Sequence, residues 1–322
     1  DDDEDYGIGG TGLQAQNISS EGIGIIGEIT GFGSIFVNGF EVENDDSTII
    51  GVNGRKVLKH GFEIGEVVEV LTPDERPLTN AVLINVRHEV IGPVSEIDRA
   101  RNRFTILNQE VLVENLPANI ETGAFLAISG FRDVDGQIHA TRIAAARAGS
   151  VLVRGQLEGS QDGLSMYGYD LAFPVQPALE NREWKIEGIL VDGKVKVTRA
   201  FPDRIASFER VSNWVLQGFP ELYASAWKDS EGLKKISGQS KPVIFRVRRP
   251  QENKPAKVSL LPDNLPKGAK VGNGQQNPEP GNQSSPGRGG GDSNGGGNNS
   301  GGGSGGSNSG GRGNNPGGGA KI

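Results

Sequence analysis

Two glycine-rich stretches of the sequence contain the letters of motifs that bind cofactors or attack substrates. Residues 7–12, Gly-Ile-Gly-Gly-Thr-Gly, match the dinucleotide-binding fingerprint, and residues 302–306, Gly-Gly-Ser-Gly-Gly, match the nucleophile elbow of serine hydrolases. Both motifs work only between a strand and a helix. Here the first follows the acidic run Asp1–Asp5, which repels phosphate, and the second lies in a stretch of Gly, Asn and Ser. We therefore predict no cofactor and no catalytic residue at either place.

Histidine, a side chain that commonly holds metals or moves protons, is rare and scattered in this sequence. His60, His88 and His139 stand singly among predicted strands and turns. A zinc site or a Ser-His-Asp set needs close partner side chains, and the sequence around the three histidines does not supply them. We interpret each as a surface or half-buried side chain and predict no metal site.

Carboxylates cluster at two places. Asp133 and Asp135 alternate ahead of Gly136, a pattern that offers oxygen ligands to calcium, but the closing Glu of a calcium loop is missing. An Asp-Gly hairpin turn accounts for the pattern without a metal. The run Asp1–Asp5 is typical of a solvated charged end, with weak calcium binding as the less favoured alternative. Hydrolysis by scattered carboxylates is the least favoured function, because no two of them share a catalytic motif.

Aromatic side chains are the remaining candidates for binding chemistry, because small barrels bind sugars or bases by stacking them on exposed rings. Most aromatic residues fall in predicted strands, where large side chains are usually buried. Tyr167, Tyr169 and Trp214 are the ones that we expect to be exposed, and they are our candidate ligand-stacking residues. A glycan-binding surface module that uses them, with a polysaccharide as its partner, is the alternative function.

Composition limits the classes of partner. The chain has 322 residues and a formal net charge of −7. Phosphate contacts need a clustered basic surface, and Arg246, Arg248 and Arg249 are the one small cluster, so we predict no nucleic-acid partner. No apolar run approaches the roughly 18 residues of a spanning helix. We expect a water-soluble protein, or one held at a surface by contacts other than a membrane span.

The absence of cysteine excludes disulfides, thiolate metal ligands and a cysteine nucleophile. The chain starts at Asp1 rather than Met, and removal of an export signal is one ordinary cause of such a start. We therefore expect an exported protein, extracellular or at the cell surface, whose signal peptide is absent from this chain.

The elements that would position any site recur at a near-constant interval. Gly65 and Gly123, like Gly130 and Gly188, lie about 58 residues apart. Short apolar strands separated by turn residues fill each interval, and Asn38-Gly39 is a strong signal for a two-residue hairpin. We predict an all-β chain of tandem small OB-like or partly open β-barrels with about five strands each, because closing a short sheet removes unpaired edges.

The predicted organisation has six segments. They are an extended acidic and Gly-rich arm (1–21), three β-barrel repeats (22–88, 89–148 and 149–204), a β-rich fourth unit (205–250), and a linker with a Gly/Asn/Ser-rich tail (251–322). Within the fourth unit we expect strands near 213–218, 223–228, 233–237 and 242–248.

Four stretches resemble one known family. They are Gly-Thr-Gly at 10–12, Ile-Thr-Gly-Phe-Gly-Ser-Ile-Phe-Val-Asn-Gly at 29–39, Gly-Glu-Val-Val-Glu-Val at 65–70 and Ile-Gly-Pro-Val-Ser-Glu-Ile-Asp at 91–98. Over roughly 22–200 the chain resembles an uncharacterised bacterial domain that occurs singly or in tandem in exported proteins. The resemblance implies a small β-barrel, export and a bacterial origin. It implies no catalytic position, because no activity is established for the family.

Our leading hypothesis is therefore a non-catalytic exported structural or cell-surface protein, a candidate subunit of an extracellular filament. We expect self-association through the Gly-rich tail and through an arm that adds a strand to the sheet edge of a neighbouring molecule. The candidate assembly arm consists of Gly22, Ile23, Gly24, Ile25, Ile26 and Ile29.

Overall fold

The structure, a computed structural model, describes residues 22–73, 78–160, 163–174, 183–203, 211, 213–223, 231–248, 256–262 and 265–267. These residues all belong to one compact unit, Asp1–Gly274. They form strands almost throughout, which confirms the predicted all-β class. The predicted arm 1–21 and the Gly-rich tail from 268 onward lie outside the described residues.

The first barrel uses strands β1 to β8. Their bounds are Ile23–Gly31, Ile35–Val37, Phe40–Glu43, Ile49–Val52, Arg55–Val57, Val67–Thr72, Leu78–Asn80 and Leu83–Arg87. β1 pairs with β2, β2 with β3, and β3 with β7, while β8 follows β7 directly and returns through β6 to β1. The ring thus closes through a strand that is interrupted between β7 and β8. The hairpin β4–β5 lies outside the ring and extends the sheet from β8.

The second barrel is a closed ring of five strands, β9 to β13. Their bounds are Val90–Asp98, Arg103–Ile106, Gln109–Leu112, Phe125–Arg132 and Ile138–Ala145. The order around the ring is β9-β10-β11-β13-β12-β9, and only β11 and β13 are parallel neighbours. This order, which matches that of the first barrel without its extra hairpin, is OB-like, as predicted.

The third barrel uses strands β14 to β19. Their bounds are Ser150–Gln156, Glu158–Ser160, Gly163–Met166, Tyr169–Ala172, Glu183–Val191 and Lys194–Pro202. The ring runs β15-β16-β17-β19-β18-β14, and β14 continues into β15 across Leu157. Leu152 on β14 pairs with Ile91 on β9, so the second and third barrels share one continuous sheet.

The first and second barrels each contain an equivalent backbone hydrogen bond, donated by a glycine. Gly65 and Gly123 have φ of 85° and 86°, in the left-handed region that favours Gly. The N–H of Gly65 donates to the carbonyl of Ile29 at 2.8 Å, and that of Gly123 donates to the carbonyl of Val94 at 2.8 Å. Both glycines therefore fasten the start of the fourth ring strand to the first, at the spacing of the sequence repeat.

Two-residue turns join the second and third ring strands of each barrel. Asn38-Gly39 forms this turn in the first barrel, as predicted, and Tyr167-Gly168 forms it in the third, all with positive φ. In the second barrel the turn is Leu107-Asn108, with φ of 47° and 58°. The sequence repeat sets Asn108-Gln109 at the positions of Asn38-Gly39 and so predicts the turn there. This prediction is wrong by one residue, because Gln109 begins β11 and is buried.

The segment after the third barrel joins the first sheet. It contains β20 (Asn213–Gly218), the short helices α1 (Pro220–Tyr223) and α2 (Glu231–Ile236), β21 (Val243–Arg248) and β22 (Lys257–Leu260). The strands predicted near 213–218 and 242–248 are confirmed. The strand predicted at 233–237 is wrong, because that stretch lies largely in α2, where Leu233 turns inward. Most of the predicted strand 223–228 lies outside the described residues.

The candidate assembly arm Gly22–Ile26 and Ile29 is not available to a neighbouring molecule. Ile23–Ile26 pair with β6 on one side and with β20, in parallel, on the other. Ile29 pairs with Val37 on β2. The prediction that this segment adds a strand to another sheet is wrong, because its hydrogen bonds are used within the chain.

Candidate functional site

Trp214, one of the three candidate stacking residues, is completely buried. It lies on β20, and its ring covers Gly24 of β1 so closely that a Cβ on Gly24 would lie 2.3 Å from Trp214 Cζ3. The prediction that Trp214 is exposed is wrong, because β20 lies between β1 and β21 and its apolar side faces a core that includes Phe131 and Phe245.

Tyr167 and Tyr169 lie in the third barrel, in a different core cluster from Trp214. Both are half-buried. The hydroxyl of Tyr167 donates to the carbonyl of Arg154 at 2.8 Å, and the guanidinium of Arg132 lies 5.3 Å from the centroid of the Tyr167 ring. The structure therefore brings two of the three predicted residues near each other, and one of those two already has partners for its hydroxyl and its ring face.

Tyr167 belongs to an arrangement that all three barrels share. The first residue of the two-residue turn folds over a glycine of the first ring strand: Asn38 over Gly27, Leu107 over Gly92, and Tyr167 over Gly155. A Cβ on these glycines would lie 2.3 to 2.7 Å from the covering side chain. Asn38 Nδ2 also donates to the Ile26 carbonyl at 2.8 Å, the position equivalent to the Arg154 carbonyl. The aromatic ring of Tyr167 thus serves barrel closure.

The three histidines remain apart, each with its own partner. Nε2 of His60 lies 3.0 Å from Glu66, Nδ1 of His88 lies 2.9 Å from Asn53, and Nε2 of His139 lies 2.9 Å from Asp133. Among the residues that the structure describes, no three His, Asp or Glu side chains are grouped to hold a metal ion.

Asp133, half of the candidate calcium pattern, acts as a turn residue. Its Oδ1 accepts hydrogen bonds from the backbone N–H groups of Asp135 and Gln137 at 3.0 and 2.9 Å. Gly136 has a φ of 82° and its N–H donates to the Asp133 carbonyl. The hairpin interpretation of this sequence therefore matches its hydrogen bonds.

A group of buried, oppositely charged side chains lies where the barrels meet. We call it the central ion cluster, and it consists of Glu69, Arg87, Glu89, Arg132, Arg154 and Asp203. Glu69 and Arg154 lie within strands, and the other four lie at strand ends or between strands; together they come from all three barrels. The six side chains are at least 86% buried, and charged side chains at that depth need direct partners.

Asp203 is the centre of this cluster. Its Oδ2 lies 2.8 Å from Nη2 of Arg87, and its Oδ1 accepts a hydrogen bond from Nη1 of Arg154. Burial alone would raise the pKa of Asp203, but the Arg154 and Arg87 guanidiniums outweigh it and hold the pKa well below its usual range. The carboxylate is therefore ionised and joins the first barrel to the third.

The remaining members extend the cluster to the second barrel. Arg87 also contacts Glu69 at 3.2 Å and Glu89 at 3.7 Å. Glu89 pairs with Arg132 at 3.1 Å, and Arg132 donates to Oε1 of the buried Gln109 at 2.6 Å. Arg87 and Glu89 flank the junction between the first and second barrels, so the chain connection itself lies within the cluster.

A second polar contact joins the first and third barrels. Glu187 pairs with Arg55 at 2.6 Å and with Lys185 at 3.2 Å. The ammonium of Lys185 donates to the carbonyl of Asn53 and lies 5.0 Å from the centroid of Phe201. Burial lowers the pKa of Lys185 to about 8, so the side chain is largely charged at neutral pH.

A small cleft of about 60 Å³ lies beside the central ion cluster. Its lining combines arginines and glutamates with largely apolar side chains, namely Ile26, Val67, Phe131, Phe219, Leu222 and Tyr223. None of its lining residues is Ser, Thr, Cys or His. Its arginines are bound to carboxylates, whereas Glu183, which also lines the cleft, has a pKa raised by burial.

Sequence reasoning missed the central ion cluster. Its one local signal is Arg87-His88-Glu89, a charged triplet at a repeat boundary, where solvated residues would be the ordinary expectation. The other members come from positions as distant as Glu69 and Asp203, so only the packing of the barrels brings them together.

No helix among the described residues is long and apolar enough to cross a membrane. Residues 91–144 match the model of a family described as a domain of unknown function, DUF5666. The match runs from β9 to β13 and so corresponds to the second, closed barrel. Neither the curated proteins nor the solved structures include a match to the chain. Over the second barrel, the chain is thus similar to a domain family without an assigned activity, as the sequence resemblance implied.

Proposed function

We propose that this chain is a non-catalytic structural protein of the bacterial cell exterior, whose three barrels act as one block. The observation that carries the proposal is the central ion cluster. Asp203 holds Arg87 and Arg154 of two barrels, and Glu89 holds Arg132 of the remaining barrel. Each of these charges has an opposite charge as its direct partner, an arrangement that structural ion-pair networks share. Export is supported by the sequence resemblance.

We assign self-association to the Gly/Asn/Ser-rich segment 272–322. The composition of this segment cannot form a core, and glycine-rich chains pack closely because no Cβ intrudes. Gly22–Ile29, the other segment expected to mediate self-association, is used inside the first sheet. Head-to-tail contacts through such a segment generate filaments when they do not close into a ring.

The test compares the full chain with a chain that ends at Val271, by negative-stain microscopy and light scattering. We expect fibres or large oligomers of the full chain and separate particles of the shortened one. A control chain keeps the length of 272–322 but has its glycines replaced by serine, and we expect it to lose assembly too. Equal assembly by the full and shortened chains would refute the proposal.

The glycan-binding alternative is not favoured by any contact described above. Trp214 is buried, and the Tyr167 hydroxyl and ring face are occupied within the protein. A glycan array with the full chain tests it directly: hits that vanish in Tyr169→Ala but persist in Tyr167→Phe would replace the structural proposal.

A further inference from the structure

We propose that the cleft beside the central ion cluster binds a small alkylammonium ion, with the carboxylate of Glu183 as its counter-charge and aromatic rings against its alkyl groups. Such a site would give the block of barrels a ligand-binding role in addition to the structural role proposed above.

Glu183 lies where the cleft opens to solvent. It is the first residue of β18, and it is the one exposed side chain among the described residues that line the cleft. Its backbone carbonyl accepts a hydrogen bond from the N–H of Asp203 at 2.8 Å, which fixes the main chain at this point. Within the described part of the chain, no hydrogen bond or ion pair is found for the Glu183 carboxylate. This carboxylate is therefore available to a ligand.

The surrounding charges do not compensate Glu183. The central ion cluster contains three arginines and three carboxylates, so it is neutral as a whole. Partial burial raises the pKa of Glu183, and the negative charges of Asp203 and Glu89 raise it further. Arg87 and Arg132 act against this rise without cancelling it. A bound cation would supply the missing partner, whereas an anion would have to displace a carboxylate from its arginine.

Aromatic side chains form a large part of the lining, namely Phe131, Phe219 and Tyr223. The ring centroids of Phe219 and His139 lie 4.9 Å apart, and those of Tyr223 and Phe245 lie 5.4 Å apart, so neighbouring rings hold both in place. Aromatic rings attract cations, and quaternary ammonium ions are commonly recognised in this way. A metal ion would instead need several oxygen ligands, and no three such side chains are grouped among the described residues. The lining therefore favours an organic cation.

The size of the cleft limits the ligand. Its volume is about 60 Å³. On this measure one water molecule needs roughly 10–15 Å³, so the cleft holds a group of about four to six non-hydrogen atoms. The trimethylammonium head of choline is of this size. A dissolved compound and a lipid headgroup can both carry it.

An NMR titration of the full chain with choline chloride tests the proposal, with sodium chloride at equal ionic strength as the salt control. The matched neutral ligand is 3,3-dimethyl-1-butanol, which has the shape of choline without its charge. We expect saturable shifts of backbone amide signals around the cleft for choline. The neutral analogue should bind at least about tenfold more weakly, because it loses the attraction of the carboxylate and of the rings.

Two variants separate the charge of the cleft from its shape. Glu183→Gln should weaken choline binding at least about tenfold and leave the thermal unfolding midpoint nearly unchanged, because the carboxylate has no described partner to lose. Glu158→Gln is the matched control, an exposed glutamate on β15 of the same barrel, and it should bind choline like the parent chain. Phe219→Leu should weaken binding of choline but not of the neutral analogue, because it removes a ring and keeps an apolar side chain.

Equal choline binding by Glu183→Gln and the parent chain would overturn the proposal, and so would equal binding of choline and the neutral analogue or the absence of saturable shifts. Sedimentation with phosphatidylcholine vesicles distinguishes the two sources of the ligand. Co-sedimentation that requires Glu183 assigns the site to a lipid headgroup, and binding of free choline alone assigns it to a dissolved compound. Tail-dependent assembly is measured separately, so a failure here leaves it unaffected.

Discussion

Asp203 and Arg87, 116 residues apart in the chain, form a buried ion pair with Oδ2 and Nη2 separated by 2.8 Å. Asp203 directly follows the last strand of the third barrel, and Arg87 is the last residue of β8 in the first. The first and third barrels are therefore connected at their chain ends by a contact that excludes most solvent. The stability of each barrel should depend on this contact.

Asp203→Asn should lower the free energy of unfolding by about 3–5 kcal/mol, because it leaves two buried guanidiniums without their shared carboxylate. Denaturant unfolding of the variant measures the loss. The control is Asp170→Asn, which removes an ion pair with Lys194 that is largely exposed and should cost less than about 1 kcal/mol. A loss in Asp203→Asn no larger than that of the control would contradict a structural role for the cluster.

His60 should contribute stability to the folded chain that is lost as the pH rises. Its hydrogen bond to Glu66 raises the pKa of His60 above 6.5 in the folded chain, although burial acts against it. A raised pKa means that the folded state holds the proton more tightly, so this contribution is complete below the unfolded pKa of about 6.5 and is lost as the pH rises through the folded value. Comparing His60→Gln with the parent chain at pH 5.5 and 8.5 tests this. We expect the larger destabilisation at pH 5.5, and an equal loss at both values would count against the pair.

His88, in contrast, should contribute stability to the folded chain that is lost as the pH falls. Burial lowers its pKa to about 4, so the folded chain holds a neutral imidazole. The stability it contributes is complete above the unfolded pKa of about 6.5 and is lost as the pH falls from there to about 4. The sequence has three histidines, so their imidazole signals can be resolved in an NMR titration. We expect one to titrate near 4 and another above 6.5; a His88 signal near 6.5 would show that the ring is hydrated.

Gly155→Ala should destabilise the third barrel by about 1–3 kcal/mol, because its new Cβ would overlap the side chain folded over it. That Cβ would lie 2.7 Å from the Tyr167 hydroxyl oxygen. Gly159→Ala is the matched control: this glycine lies in the same barrel, on β15, and a Cβ there meets no atom within 4 Å. Thermal unfolding should separate the two variants, and equal midpoints would show that the turn can move away without cost.

Local chemistry made much of the fold predictable. The Asn38-Gly39 turn follows from the positive φ that both positions require, and the glycines near 65 and 123 follow from their spacing. The turn in the second barrel was misplaced because Leu107 adopts positive φ, which is rare for a bulky residue and leaves no mark in the sequence.

Non-local contacts explain what could not be predicted. The local sequence around Trp214 suggests an exposed side chain. Trp214 is buried only because β20 pairs with β1, a strand that lies far from it in the sequence. The central ion cluster has the same origin, since Asp203 meets Arg87 only after the first and third barrels have packed. The stretch 233–237 carries apolar residues at a spacing that suits both a short strand and the short helix α2, and its packing against β22 selects the helix.

The parallel pairing of β20 with β1 also means that β1 has to wait for a partner strand that is synthesised much later. A chain that emerges from the ribosome or a translocation pore presents β1 first, but the residues that flank it on one side, Asn213–Leu216, emerge only after the second and third barrels. Until then Gly24 has no indole above it, and the isoleucine-rich edge of β1 stays unprotected. Growing or prematurely terminated chains should therefore be the forms that depend most on chaperones.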